Sequence, residues 1–412
     1  MRRRTGRASR PRPERAASFA VNGARTRGQP AALSAAAAVV DEGRSHALLM
    51  VGPGGVGKTT LALDIAARLL CSAEPPAARP CRACRGCRMV DSGNHPDLHR
   101  LAPDGPGGQI RIGERSNPDP GTIRGLISSL ALLPVEGGAR VAILEGAHRL
   151  NDDAQSALLK TLEEPPAGVT IILCADDEER LLPTVRSRCA RIRLGPVGPR
   201  DIETILGEAG AADAPTAARL GRLAGGRPGV ALAYAAAPEA VVGRMQIGRT
   251  LLDLLAAPRA KRLTAVRQLL TDAATAAALL SPSRPAAAGR NTRRVPAEPA
   301  ADEAAEPGES SDGASTRRVP AAERRRAAAF LVDVWRAVAR DLAIVQLGDL
   351  PSVHDVALLD DLAVAARGLP PGASAAFLER LTRAGELLES NVSPELIADG
   401  LVLAWPRRRI AA

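Results

Sequence analysis

Eight consecutive residues of this chain have the types and the spacing of a phosphate-binding loop. They match G-x-x-x-x-G-K-[ST] at every position and are Gly52, Pro53, Gly54, Gly55, Val56, Gly57, Lys58 and Thr59. The glycines allow successive backbone N–H groups to turn toward a bound anion. Lys58 would reach the β- and γ-phosphates of a nucleotide and Thr59 would hold Mg²⁺, with Thr60 beside them as a further candidate. The alternative is a glycine-rich turn that binds no ligand.

Four of the six cysteines form a second candidate site soon after this loop. Cys71, Cys81, Cys84 and Cys87 follow the spacing C-x₉-C-x₂-C-x₂-C. Four thiolates close a tetrahedral shell around Zn²⁺ and leave no open position, which indicates a structural metal. Redox chemistry and buried free thiols are the alternatives. We expect such a metal to stabilise residues 71–97 and to leave nucleotide binding largely intact.

The elements that position these residues follow from the apolar pattern. Residues 47–51, 141–144 and 169–174 are apolar runs typical of buried strands, and helical segments alternate with them. Repeated strand–helix alternation predicts a parallel sheet with helices on both faces. Ligands of such sheets bind at the carboxyl ends of the strands, where the loop and Glu145 both fall.

Several helices are predicted around these strands. One covers residues 19–40, a second follows Thr59, and others cover 122–132 and 180–185. A further helix opens near residue 151, where Asp152 and Gln155 have the spacing of a capping box. The chain is predicted to be helical again over residues 198–234, 239–280 and 327–405.

The positive charge is concentrated in two segments and at the C-terminus. The net charge is +10, and residues 1–20, with seven Arg and one Glu, contribute +6 of it. Residues 1–17 and the Pro-, Ala- and Arg-rich segment 281–326 lack an apolar face and are predicted to be disordered. Only six residues are aromatic, which argues against platforms that stack bases. No apolar run is long enough to cross a membrane, so we expect a cytoplasmic protein.

Further motifs in a fixed order then suggest a family. After the loop and the cysteines come His95-Pro96-Asp97, the strand ending at Glu145, the stretch NDDAQSALLKTLEEPP at 151–166, and Ser187-Arg188-Cys189. This series resembles the bacterial DNA polymerase III clamp-loader subunits of the AAA+ superfamily, and most of all the delta-prime type. The resemblance covers residues 18–235 closely and the C-terminal helices weakly.

The resemblance implies a fold and a set of partners. It implies an α/β AAA+ P-loop domain over 18–196 with the zinc module inserted at 71–97, a helical lid over 197–238, and an all-α collar over 239–280 and 327–406. It also implies ATP as the nucleotide, with gamma/tau and delta subunits, the sliding clamp and primed DNA as partners. Arg188 corresponds to the arginine that reaches a neighbouring subunit's nucleotide; the alternative is a solvent-facing Arg.

Three positions depart from the motor subunits of that family. Gly146 stands where a carboxylate would orient the attacking water, Ala175 where a threonine is expected, and Gly229 where the small domain would carry an arginine. The sequence therefore predicts ATP binding with poor hydrolysis, the behaviour of a stator subunit. A gamma/tau-type motor and an unrelated P-loop ATPase with a structural zinc remain the alternatives.

Overall fold

A five-stranded parallel sheet forms the centre of the N-terminal half of the protein. In the computed structural model the strand order is β2 (Leu98–Leu101), β3 (Arg140–Leu144), β4 (Val169–Ala175), β1 (Ala47–Val51), β5 (Ala190–Arg193), and all neighbours are parallel. The structure describes residues 23–41, 43, 45–103, 108–116, 119–136, 138–280, 319–389 and 392–408. The predicted parallel α/β sheet is confirmed.

The α-helices of the described residues are numbered along the chain. They are α1 (Pro30–Asp41), α2 (Lys58–Leu69), α3 (Arg85–Asp91), α4 (Ile123–Leu130), α5 (Asp152–Glu163), α6 (Pro183–Arg186), α7 (Pro199–Glu208), α8 (Ala214–Leu223), α9 (Pro228–Ala236), α10 (Pro238–Asp253), α11 (Arg259–Leu279), α12 (Ala321–Gln346), α13 (Leu359–Ala366), α14 (Ala373–Glu389) and α15 (Pro394–Ala404). None of these helices is both long and apolar enough to cross a membrane.

Side chains of the inner strands alternate between two hydrophobic cores, one on each face of the sheet. Leu48 and Met50 of β1 belong to the core that includes residues of α1 and α2. Leu49 belongs to the opposite core, which α4 and α5 complete through residues such as Leu126 and Leu158. Because both faces are covered, the inner strands β1, β3 and β4 are apolar apart from Arg140 and Thr170.

The chain divides into two compact units. The first contains residues up to 238 together with 341–367, and the second contains 239–340 together with the residues from 368 onward. The sheet and the helices α1 to α9 thus belong to the first unit. In the second unit, Trp335, Phe377 and Trp405 pack as an aromatic cluster with ring centroids 4.7–5.6 Å apart.

Some predicted element boundaries are wrong. The helix predicted over 19–40 begins only at Pro30, and residues 23–29 have no regular secondary structure. The helix predicted from residue 327 begins at Ala321, so the end of the expected 281–326 insertion is helical. The expected disordered tail 1–17 and residues 281–318 lie outside the described residues.

The start of α5 also differs from the prediction. The N-cap is Asn151, whose side chain accepts a hydrogen bond from the Ala154 amide at 2.9 Å. Gln155 is buried and binds the backbone of Leu150, Arg180 and Leu182 instead of closing a capping box. Its amide therefore fixes the segment before α6 against α5.

Candidate functional site

The phosphate-binding loop joins the carboxyl end of β1 to the first turn of α2, as its sequence predicts. Gly55 and Gly57 have φ angles of +82° and +105°, which favour glycine. No atom lies within 4 Å of the position that a Cβ of Gly57 would take, so the loop is open at this point. The N-terminus of α2 adds a positive end to the same opening.

The side chain of Lys58 lies inside this loop and is only 7% exposed. Its Nζ donates to the carbonyl oxygens of Gly52 at 2.5 Å and Pro53 at 2.8 Å. It also pairs with Asp176 Oδ1 at 2.8 Å. The ammonium group is thus held at the centre of the loop by three oxygen atoms.

A hydroxyl and a carboxylate face each other beside Lys58. Thr59 Oγ1 lies 3.4 Å from Glu145 Oε2, so the first turn of α2 meets the end of β3. Glu145 Oε1 accepts from Arg100 Nη2 at 2.6 Å, which fixes the carboxylate. Oxygen ligands of this kind suit Mg²⁺.

Sequence reasoning missed Asp176, the residue that follows β4. Its amide donates to Nδ1 of the buried His148 at 3.1 Å, and its carboxylate reaches Lys58. The signal was available, because parallel strands place the residues after their carboxyl ends at one edge of the sheet.

A groove of about 520 Å³ runs along the loop. The residues that line it are Arg25, Thr26, Arg27, Gly55, Val56, Gly57, Lys58, Thr59, Thr60, Pro103, Glu145, Gly146, His148, Arg149, Cys174, Asp176, Ile205, Pro228, Gly229 and Leu232. At one side α9 touches the loop directly, since the Gly229 amide donates to Gly55 O at 2.9 Å. The groove therefore combines a polar phosphate end with apolar side chains from α7 and α9.

The four predicted metal ligands lie together. The sulfur atoms of Cys71, Cys81, Cys84 and Cys87 are all within 4.8 Å of one another, and all four thiols are free. Cys71 Sγ lies 3.6 Å from Cys81 Sγ and 3.8 Å from Cys84 Sγ. Tetrahedral Zn–S bonds of about 2.3 Å require sulfur–sulfur distances of about 3.8 Å, so the donor set fits zinc.

Backbone amides support these thiols. The amide of Cys84 donates to Cys81 Sγ at 3.3 Å, and that of Cys87 donates to Cys84 Sγ at 3.4 Å. Burial acts to raise the pKa of the Cys84 thiol, but hydrogen bonds from Cys87 and Ser72 lower it to about 6. Such N–H···S contacts orient thiolate ligands around a metal.

The region that carries both sites is similar to known proteins. Residues 28–198 match the family model described as "DNA polymerase III, delta subunit". The chain is 38% identical over 147 residues to DNA polymerase III subunit delta' of Pseudomonas aeruginosa, covering 36% of this chain and 42% of that protein. Residues 28–198 are therefore similar to the delta-prime subunits of DNA polymerase III.

Other relatives extend this picture. The delta' subunit of Escherichia coli is 36% identical over 188 residues, covering 46% of this chain and 54% of that protein. The tau subunit of Salmonella typhimurium is 35% identical over 198 residues, covering 47% of this chain and 29% of that protein. The match thus spans about half or less of each relative.

Two of the departures from the motor pattern, Gly146 and Gly229, have structural counterparts in the region that carries the loop. Gly146 has φ +64°, and a Cβ there would lie 2.9 Å from Pro103 Cγ. At Gly229, a Cβ would lie 3.2 Å from Gly55 O. Side chains at both positions would therefore crowd the groove.

Arg188 is not among the described residues that line the groove. It follows α6 and pairs with Glu163 at 2.5 Å, while its Nη1 donates to Thr184 O at 2.9 Å. Its side chain is 35% exposed.

Proposed function

We propose that this chain is the delta-prime-type subunit of a cytoplasmic DNA polymerase III clamp loader that binds ATP and hydrolyses it poorly. Its role would be that of a stator, with gamma/tau and delta subunits as neighbours. The assembled complex would then load the sliding clamp onto primed DNA in an ATP-dependent reaction.

The proposal rests on one combination: the phosphate-binding loop is complete, but the position that would carry the water-orienting carboxylate is Gly146. Lys58 would bind the β- and γ-phosphates, and Thr59 with Glu145 would hold Mg²⁺. Hydrolysis also needs a group that positions water. Gly146 has no side chain, and its left-handed backbone opposes any replacement that carries a Cβ.

Arg188 is proposed as the residue that acts on a neighbouring subunit's nucleotide. Arg188 does not line the nucleotide groove and is partly exposed, so it could contact another chain once its ion pair with Glu163 is broken. An arginine in this role stabilises the charge that develops on the γ-phosphate.

The domain roles beyond the matched region follow from the same proposal. Residues 197–238 would act as the lid, since α7 and α9 contribute Ile205, Pro228, Gly229 and Leu232 to the groove. The regular elements of the second unit are all helices among its described residues, and this unit would form the collar that joins the subunits.

A binding experiment on the purified chain tests the nucleotide site. Titration with ATP and Mg²⁺ should show binding by the wild type, and Lys58→Ala should weaken it about 10- to 100-fold because a charged hydrogen-bond donor is lost. Lys160→Ala is the matched control, because Lys160 is exposed on α5 and away from the groove. Equal ATP affinity in both variants would contradict the site.

A second experiment tests Arg188. In a complex reconstituted with gamma/tau-type and delta-type subunits, Arg188→Ala should lower ATPase activity by up to about 10³. Its own ATP binding should not change. Arg191→Ala is the control, because it removes a 47% exposed side chain that pairs with Glu178 at 3.4 Å. Equal ATPase rates for the two variants would remove the trans-acting role.

One observation favours a second candidate, a hydrolysing motor. Asp176 brings a carboxylate to within 2.8 Å of Lys58 Nζ and could take over the orientation of water. If the isolated chain turns over ATP and Asp176→Asn abolishes this turnover, the motor replaces the stator.

A further inference from the structure

A buried carboxylate on α2 connects the loop helix to the segment before α1. Asp64 is 1% exposed. Its oxygens accept from the Arg25 amide at 3.0 Å, the Thr26 amide at 2.9 Å and Thr26 Oγ1 at 2.7 Å. The backbone of residues 25 and 26 is thereby fixed to the same helix that begins with Lys58.

The same carboxylate is paired with an arginine of the cysteine module. Arg82 lies between Cys81 and Cys84 and contacts Asp64 through Nη2. Its Nε donates to Gly23 O at 2.7 Å, and its Nη1 pairs with Asp91 at 2.8 Å. A single guanidinium group thus joins the module, α2 and the segment 23–27.

The backbone of Arg82 is in an unusual conformation. Its φ is +58°, the only positive value of a non-glycine residue among the described residues. This region is unfavourable for a side chain that carries a Cβ. Two metal ligands flank Arg82, so a closed tetrahedral shell would hold the backbone there and direct the guanidinium toward Asp64.

The opposite side of the segment 23–27 faces the nucleotide groove. Arg25, Thr26 and Arg27 line it together with Ile205 and Leu232. The segment is also close to the module, because a Cβ on Gly23 would lie 2.2 Å from Pro80 O. The groove wall formed by residues 25–27 is therefore held in place through Arg82, which lies between Cys81 and Cys84.

We infer that Arg82 and Asp64 are positioning residues for the nucleotide groove, and that metal binding by the four cysteines strengthens nucleotide binding through them. This inference rests on the proposed ATP site. It differs from the expectation of an independent module, because the Arg82–Asp64 pair ties the module to the groove wall. Loss of the metal would let Arg82 leave its left-handed conformation and release residues 25 and 26.

The test uses Arg82→Gly in the full chain, because glycine keeps the left-handed backbone while the guanidinium is removed. One zinc per chain should remain, since no thiolate is lost. ATP affinity should fall about tenfold, equivalent to about 1.4 kcal/mol. Hydrogen exchange at the Arg25 and Thr26 amides should become faster. Asp64→Asn, which keeps the size of the side chain, should give the same changes.

Arg85→Gly is the matched control, because Arg85 belongs to the same module and is 74% exposed in its pair with Glu136. It should leave zinc content, ATP affinity and amide exchange at Arg25 and Thr26 as in the wild type. Removing zinc from the wild type with a chelator should weaken ATP binding as much as Arg82→Gly does. The same treatment of Arg82→Gly should add nothing further.

Two results would overturn the inference. One is Arg82→Gly with full zinc and wild-type exchange at Arg25 and Thr26, because the pair would then not hold the segment. The other is loss of zinc from that variant, because Arg82 would then serve the module alone. If the wild type binds no ATP, the proposed function fails, while the exchange measurement still tests the pair.

Discussion

Replacing Asp97 with Asn should destabilise the first unit strongly. Asp97 precedes β2, is 1% exposed, and pairs with the buried Arg140 at 3.3 Å. It also accepts from the amides of Val135 at 2.8 Å and Glu136 at 2.9 Å. Asn keeps the size but removes the charge and one acceptor. Breaking a buried ion pair from one side costs about 3–5 kcal/mol, so we expect a loss of about 3 kcal/mol or more in the free energy of unfolding.

The effect should depend on pH in a defined direction. Burial acts to raise the pKa of Asp97, but the Glu136 and Val135 amides and Arg140 bring that pKa below its ordinary value. Since the folded pKa is below the unfolded one, the ionised carboxylate stabilises the fold at pH values above the unfolded pKa, about 4. This contribution is lost as the pH falls from there through the folded pKa.

Denaturant unfolding followed by circular dichroism, repeated from pH 8 to pH 3, measures both effects. The difference between wild type and Asp97→Asn should be constant at neutral pH and shrink below about pH 4. Asp119→Asn is the control, because Asp119 is 56% exposed and lies 3.6 Å from Arg111. An Asp97→Asn protein as stable as the control, or a difference that persists unchanged to pH 3, would refute the reasoning.

Three further predictions concern the loop, the module and the second unit. Gly229→Ala should weaken ATP binding several-fold in an ATP titration, because its Cβ would lie 3.3 Å from the Gly55 Cα. Gly207→Ala on α7 should leave ATP binding unchanged, because its Cβ would meet no atom within 4 Å. Elemental analysis should find one zinc per chain in the wild type and less in Cys84→Ser, while the buried Cys189→Ser keeps it. Arg262→Met should lower the free energy of unfolding of the second unit by about 3 kcal/mol, as measured by thermal unfolding, because the buried guanidinium donates to four carbonyl oxygens, those of Leu255, Ala257, Trp405 and Pro406. Arg267→Met, which removes a 60% exposed side chain, should have no such effect.

The sequence was informative where local pattern decides the structure. The three inner strands are mostly apolar, and the apolar pattern predicts all three. The two strands that were missed, β2 and β5, are the edges of the sheet. Each has only four residues, and exposed positions such as Arg191 and Arg193 interrupt the apolar pattern. Edge strands are commonly short and charged, so periodicity is weak there.

The candidate site divides in the same way. The loop and the cysteines are contiguous motifs, whose spacing alone predicts their chemistry. The pairs Lys58–Asp176 and Asp64–Arg82 join residues far apart in the chain, and only the fold brings them together. Lone acidic residues in a chain with 45 of them carry no local signal.

The placement of the aromatic residues has a practical consequence for spectroscopy. Both tryptophans of the chain, Trp335 and Trp405, belong to the second unit, and the single tyrosine, Tyr234, belongs to the first. Intrinsic tryptophan emission therefore originates entirely in the helical unit. A titration or melt monitored at that wavelength follows the helical unit directly, and events confined to the nucleotide groove require an extrinsic dye or a tryptophan introduced beside it.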